Sequence, residues 1–241
     1  MVNTLALITA RGGSKSMPCK NTLKVANKPL IAHTIIAAQE AESIDRIVVT
    51  TDCSKIGAIA RHWGAEVPFE RPAELARDDT PSIPVVIHAL EWLRTHQRYD
   101  PDYIVLLQPT SPLRMPQDID AAVQMAYERA ADSVVSVRPV KDHPTWMMEV
   151  NDQGKMQPWI GAEKIATHRQ YHSSLYVLNG AIYVVRPEVL ISRQQWYAEE
   201  TYPYVMPTER SVDIDDRWHL QFVESILRAR ENCKNQPRIA S

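Results

Sequence analysis

The sequence predicts a doubly wound α/β fold with a mostly parallel sheet. Short apolar runs of strand length alternate with segments that carry apolar residues at helical spacing, the pattern of a sheet covered by helices on both faces. The chain has 241 residues with 44% hydrophobic and 23% charged, enough to bury one good-sized core without disulfide or metal staples. A single domain spanning residues 1–241 is therefore expected.

The strand candidates come in order as Leu5 to Thr9, Arg46 to Thr50, Tyr103 to Leu107, Ser133 to Val137 and Ala181 to Val185. Between them, Ile56, Ile59, Ala60 and Trp63 share one helical face, as do Ile83, Val86, Ile87 and Leu90, and again Ile119, Ala122, Val123 and Ala126. Leu220, Val223 and Leu227 mark a final amphipathic helix near Trp218 to Ala229. The rhythm breaks between about 140 and 175, where Asp142-His143-Pro144 and Asn151-Asp152-Gln153-Gly154 lie among scattered aromatics. The second of these runs separates Met148-Glu149-Val150 from Lys155-Met156 and predicts a hairpin, so the segment reads as an excursion from the sheet.

The formal net charge of −2 gives no general attraction to nucleic acid or to an anionic membrane, so neither is an expected partner and an anionic ligand needs a local cluster of cations. Three cysteines at wide spacing, Cys19, Cys53 and Cys233, form neither a disulfide framework nor a paired zinc pattern and fit a reducing, cytoplasmic compartment. No apolar run approaches the roughly 20 residues that span a bilayer, and no basic leader precedes the first strand. A soluble, unprocessed protein is expected. The histidines, including His33, His62, His88, His96 and His219, show no metal-binding spacing with a carboxylate.

In doubly wound sheets ligands bind beyond the carboxyl ends of the strands. After the first strand the chain reads Ala10-Arg11-Gly12-Gly13-Ser14-Lys15-Ser16-Met17-Pro18-Cys19-Lys20-Asn21. Adjacent glycines let the backbone turn its N–H groups toward an anion, and Arg11, Lys15 and Lys20 supply charge for phosphate. The loop has neither the Gly-Lys-Ser/Thr order of a Walker loop nor the spacing of a dinucleotide-binding turn; a solvated basic turn is the competing reading. Thr51-Asp52 follows the second strand. Gln108-Pro109-Thr110-Ser111-Pro112-Leu113-Arg114 follows the third, with prolines that stiffen it and a Gln108 amide able to read a base edge or simply to sit in a rigid turn. Asp213-Ile214-Asp215 places two carboxylates on one side of an extended segment, a pair that suits Mg²⁺ or that begins the last helix with Asp215 or Asp216 as cap.

Six segments taken together, Ala10 to Lys15, Lys20-Asn21, Arg71-Pro72, Leu107 to Arg114, Asn179-Gly180-Ala181-Ile182-Tyr183 and Asp213-Ile214-Asp215, resemble in order and spacing the N-acylneuraminate cytidylyltransferases, also called CMP-sialic acid synthetases, over almost the whole chain. The resemblance implies a nucleotidyltransferase fold and a Mg²⁺-dependent reaction of CTP with a nine-carbon 2-keto-3-deoxy sugar acid, giving the CMP-sugar and pyrophosphate. By matching position it implies that Arg11, Gly12, Gly13, Ser14 and Lys20 hold the triphosphate and that Asn21, Arg71, Ser82 and Gln108 hold the nucleotide. Asp213 and Asp215 would bind the metal, and with Arg11 and Lys20 they make up the catalytic set. Gln108, Arg169, Gln170, Tyr183, Trp196 and Tyr197 would face the sugar acid. The excursion at 140–175 resembles the family's dimerisation element, in which one subunit completes the other's pocket, and so implies a homodimer.

The chain departs from the pattern at Trp146, where many sialate-specific members carry a lysine after His-Pro. An apolar wall there leaves sugar hydroxyls unpaired, which favours a less hydroxylated, more N-acylated acid of the legionaminic or pseudaminic type. Cys19 within the phosphate loop is expected to be a bystander. The alternatives are a cytidylyltransferase for the eight-carbon 3-deoxy-manno-octulosonate, a hexose-1-phosphate nucleotidyltransferase, and a nucleotide-sugar-binding regulator without turnover.

Overall fold

The structure, a computed structural model, describes residues 2–13, 17–160 and 174–235. Its centre is a six-stranded sheet in the order β10-β6-β9-β5-β1-β4. The strands are β1 (Thr4–Thr9), β4 (Arg46–Thr50), β5 (Tyr103–Leu107), β6 (Ser133–Pro139), β9 (Tyr176–Val185) and β10 (Thr201–Val205). β1 pairs parallel with β4 and β5, and β10 parallel with β6; β9 runs antiparallel to both its neighbours. All five strands read from the apolar runs are present, and the sheet is mostly parallel. Two short ribbons complete the strands, β2 (Lys24–Val25) with β3 (Lys28–Pro29) and β7 (Met148–Val150) with β8 (Met156–Pro158).

Helices cover both faces. α1 (Leu30–Gln39), α2 (Ser54–His62) and α4 (Pro116–Glu128) bury Ile31, Ile35, Ile56, Ala60, Ile119 and Ala122 against one face of the sheet, with Ile8, Val49 and Leu107. α3 (Ser82–Gln97) and α5 (Pro187–Arg193) bury Val86, Leu90, Leu93 and Leu190 against the other, with Leu5, Leu7 and Leu106. The alternation of Leu5, Ala6, Leu7 and Ile8 between these two clusters is the period-two signature of a strand buried on both faces. α6 (Arg217–Asn235) packs Val223 and Leu227 onto Leu30, Leu113 and Ile214 in a third, smaller cluster.

Of the segment expected to leave the sheet, residues 161–173 lie outside the described residues, and the hairpin expected at Asn151-Asp152-Gln153-Gly154 is present in the described part. Asn151 Oδ1 accepts the backbone N–H groups of Gln153 and Lys155 and closes the β7–β8 hairpin. β9 begins earlier than the Ala181 start expected, at Tyr176, and its pairing with β6 slips between Val135 and Val137. At the slip, Gly180 has φ +68, a backbone conformation that glycine adopts without penalty. A buried polar network fills the irregularity: Ser136 Oγ donates to Asn179 Oδ1 at 2.6 Å and accepts the Ile182 N–H at 2.8 Å, while Asn179 Nδ2 donates to Ser211 Oγ at 3.0 Å. That last bond couples the sheet to the segment carrying Asp213 and Asp215.

Candidate active site

A cavity of about 360 Å³ opens at the carboxyl ends of β1 and β5, where a doubly wound sheet places its ligands. It is lined by Arg11, Gly13, Lys20, Asn21, Arg71, Ser82, Gln108 and Asp215 among the residues picked out from the sequence. Residues from six separate stretches of chain thus meet in one place. Four cations, Arg11, Lys20, Arg71 and Arg77, face it against two carboxylates, Asp78 and Asp215, among the described residues. A chain of slightly negative net charge has therefore concentrated positive charge at one cavity, as an anionic ligand requires. A larger hollow of about 760 Å³ lies at the opposite, amino ends of β1 and β5, beside Val2, Tyr103 and Arg186. Arg186 there donates to the Ala130 and Ala131 carbonyls and the Tyr103 hydroxyl, and the hollow lies away from the strand ends where such a sheet places its ligands.

The loop after β1 differs in one respect from the expected cradle. Gly12 turns its N–H not toward the cavity but onto Asp52 Oδ1 at 2.9 Å, just beyond β4. The residue is glycine because a Cβ there would stand 2.9 Å from Cys53 Cβ. Asp52, a fixed anion, takes the place that a phosphate oxygen was expected to hold at this N–H. Gly12 therefore joins the loop to the sheet, while Gly13 lines the cavity. Asn21 supports the same loop, its Nδ2 donating to the Arg11 carbonyl at 3.0 Å. Ser14 lies outside the described residues.

Arg71 lines the cavity with two donors already engaged, Nε to Thr50 Oγ1 and Nη2 to the Thr50 carbonyl. Burial pushes its guanidinium down to about 10, opposed by Asp52. Its charge remains for the ligand at neutral pH, with part of its fork fixed. Gln108 carries a similar division of labour. Its backbone carbonyl is held by Arg114 Nη2, while its side-chain Oε1 lies 3.1 Å from where a Cβ on residue 180 would stand. Arg114 also donates to the Ala181 carbonyl at 3.0 Å and Thr34 Oγ1 at 2.8 Å. Its burial pushes the guanidinium down to about 9, opposed by Asp213 and Asp118. Arg114 is thus a buried tie between the β5 loop, α1 and β9.

Ile214, fully buried, anchors the acidic segment in the third cluster, and its N–H donates to the Thr110 carbonyl at 2.8 Å. Asp213 and Asp215 flank it. Asp215 is 71% exposed and 3.9 Å from Lys20 Nζ, whereas the Asp213 Oδ1 is buried with no hydrogen-bond partner among the described residues. Asp216, not Asp215, caps α6, accepting the His219 N–H at 2.8 Å. The capping reading of the acidic run therefore belongs to one residue and leaves the other two carboxylates for other work. An orphaned buried carboxylate oxygen costs free energy unless a cation meets it, and a hard oxygen pair fits Mg²⁺ sharing itself with waters and phosphate. No group of three or more His, Cys, Asp or Glu converges among the described residues, so a site here would be an open one.

The aromatic residues expected near the sugar do not line this cavity but adjoin it. Trp196 Nε1 donates to Ser82 Oγ at 3.1 Å, and its ring lies 5.2 Å from that of Tyr183. Burial pushes the Tyr183 hydroxyl up to about 12, with Tyr197 and Asp213 adding to the effect. Trp146 stands in a short helical turn, Pro144–Trp146, before β7, and does not line the cavity. Arg169 and Gln170 lie outside the described residues. The sequence reading passed over Arg77, Asp78 and Thr80, which also line the cavity. Their only signal was a charged run between Arg71 and α3.

The family model described as Cytidylyltransferase matches residues 5–210. The chain is 39% identical over 216 residues to a CMP-N,N'-diacetyllegionaminic acid synthase of Legionella pneumophila, covering 88% of this chain and 90% of that one. It is 34% identical over 237 residues to an N-acylneuraminate cytidylyltransferase of Streptococcus agalactiae, covering 95% of this chain but 55% of that one. The chain thus spans about half the length of the streptococcal relative. Among solved structures, a CMP:2-keto-3-deoxy-manno-octonic acid synthetase complexed with CTP aligns with TM-score 0.68 at 17% identity, covering 95% of this chain and 99% of that one. At that identity the likeness speaks for the fold. The matched span takes in the central sheet from Leu5 on and the cavity loops after β1 and β5, stopping short of the Asp213–Asp215 segment, and on it the chain belongs to the cytidylyltransferase family, with the N-acylneuraminate cytidylyltransferases among its relatives.

Proposed function

We propose that this enzyme transfers CMP from CTP to the anomeric hydroxyl of a nine-carbon 2-keto-3-deoxy sugar acid and releases pyrophosphate. The observation that carries the reading is the cavity itself, where Arg11, Lys20, Asn21, Arg71, Ser82, Gln108 and Asp215 converge. In this reaction the sugar oxygen forms a bond to the α-phosphorus as the bond to the β-phosphate oxygen breaks. The protein has no covalent nucleophile to supply. Its work is to hold two oxygens in line and to neutralise charge on the departing pyrophosphate. Arg11 and Lys20 serve the triphosphate; Asn21, Arg71, Ser82 and Gln108 hold the nucleotide. Asp213 and Asp215 would hold Mg²⁺, which when bound clamps phosphate oxygens and improves the leaving group. The orphaned Asp213 Oδ1 supports that assignment.

For the acid itself, the legionaminic type is the preferred substrate. Support comes from Trp146 in place of the lysine expected of sialate-specific members and from the 39% identity to the Legionella pneumophila synthase. Sialic acid is the second reading, favoured by the streptococcal relative. Three free thiols suit a reducing cytoplasm. The exposed Met147, Met148, Val150, Met156 and Trp159 of the excursion suit burial against a second copy in a homodimer.

Pyrophosphate release from CTP, Mg²⁺ and a panel of eight- and nine-carbon 2-keto-3-deoxy acids tests the function. Turnover is expected with nine-carbon acids and highest kcat/KM with the di-N-acylated ones; background release with every acid overturns the reading. Trp146→Lys is expected to shift relative kcat/KM among the acids. An equal change for all would remove Trp146 from sugar selection.

A further inference from the structure

Arg11, assigned above to the triphosphate, already has an anionic partner. Its Nη1 is ion-paired with Asp78 Oδ1, each side chain about one-third exposed at 31% and 33%. The pair joins the loop after β1 to the turn before α3, and both residues line the cavity. Asp215, the other carboxylate there, lies 3.9 Å from Lys20 Nζ and is proposed above to hold Mg²⁺. Asp78 faces the same cavity, and a carboxylate facing a triphosphate repels it. Carboxylate and phosphate accept the same guanidinium fork. An acid held against that fork therefore competes with phosphate for it inside one molecule.

We propose that Asp78 is a built-in competitor for the triphosphate, holding Arg11 while the cavity lacks nucleotide, yielding it to phosphate oxygens on binding, and reclaiming it as pyrophosphate leaves. The inference rests on the CTP reading of the cavity and adds to it a residue that no matched motif contains. Asp78 is a positioning residue, acting through Arg11. It keeps the guanidinium aimed into the cavity and weakens the hold on the product, at the expense of some nucleotide affinity.

The test is Asp78→Asn beside Asp78→Glu. In the asparagine variant the KM for CTP and the inhibition constant of pyrophosphate are both expected to fall about threefold, the scale of a part-exposed ion pair. The KM for the sugar acid stays, and Glu restores wild-type values. The CTP and pyrophosphate differences narrow as ionic strength rises. A merely structural role for Asp78 raises the KM for CTP and lowers the melting temperature together, and that result overturns the proposal, as does an unchanged pair of constants. Calorimetric binding of inorganic pyrophosphate separates this inference from the function beneath it. Tighter binding by Asp78→Asn than by wild type supports the competition even if no sugar acid is turned over. Equal or weaker binding sinks it even if turnover is normal.

Discussion

Asp213 is the single residue on which the proposed metal chemistry turns. Its Oδ1 is buried without a partner, within a segment held by the Ile214 N–H bond to Thr110 and by the Ser211–Asn179 bond. A fold does not leave a carboxylate oxygen so without cost, and Mg²⁺ is the counter-charge the proposed reaction requires. Asp213→Asn keeps the shape and removes the charge. Turnover at limiting Mg²⁺ is expected to fall roughly a hundredfold, since a metal contributes several kcal/mol to the transition state and each ~1.4 kcal/mol is tenfold in rate. The melting temperature of the metal-free variant should not fall, and Mg²⁺ should raise the wild-type melting temperature alone. A variant that keeps turnover takes Asp213 out of the metal site. Much at this scale was legible in the sequence, because Arg11, Lys20, Asn21, Gln108 and the Asp pair follow strands or precede a helix. What was not legible is which partner each polar group chooses: the Gly12 N–H goes to Asp52, and Arg11 goes to Asp78. Such choices depend on contacts 40 and 67 residues away in the chain, which no local pattern encodes.

Among the elements, strands buried on both faces announced themselves, and several others, α1, β10 and the first half of β9 among them, did not. α1 buries seven of its ten residues, so it lacks the polar stripe that makes a helix recognisable by period. β10 carries Pro203 and lies at the sheet edge, where proline is tolerated but argues against a strand when read alone. The first half of β9 holds Asn179-Gly180, a turn signal that here marks an irregularity inside a strand. One buried carboxylate ties several of these elements together. Asp118, 1% exposed, accepts the Met115 N–H at the start of α4, the Arg210 fork at 3.0 and 2.7 Å, and the Tyr204 hydroxyl of β10 at 3.0 Å. Asp118→Ala would strand the Arg210 guanidinium and uncap α4. The expected loss is about 3 kcal/mol of unfolding free energy, at the low end for a broken buried pair because Arg210 keeps some contact with water. Urea denaturation measures it. A loss within the range of an ordinary surface substitution would mean that solvent already carries the Arg210 charge.

For the whole molecule, the question is what covers the excursion. The β7–β8 ribbon has two strands of three residues each, and Met148, Glu149 and Val150 are all exposed. An isolated two-stranded hairpin is marginal in water. This one carries Met147, Met148, Val150, Met156 and Trp159 in the open, and Tyr176, Val177 and Leu178 at the start of β9 are exposed as well. The proposed homodimer would account for such a surface through burial on both sides of a symmetry axis. The Val150→Asp, Trp159→Asp double variant places two charges in that surface and touches no residue of the nucleotide cavity. Its dissociation constant in sedimentation velocity is expected to weaken about a hundredfold or more, the scale of losing central interface anchors. Pyrophosphate release with the sugar acid should fall in step with dimer content, because the excursion is proposed to complete the partner's pocket. Calorimetric CTP affinity should hold, because Arg11, Lys20, Arg71 and Gln108 come from one chain. Wild-type protein that sediments as a monomer at micromolar concentration with full turnover would refute the dimer. A monomeric variant that keeps full turnover would confine the dimer to stability and leave each sugar pocket to its own chain.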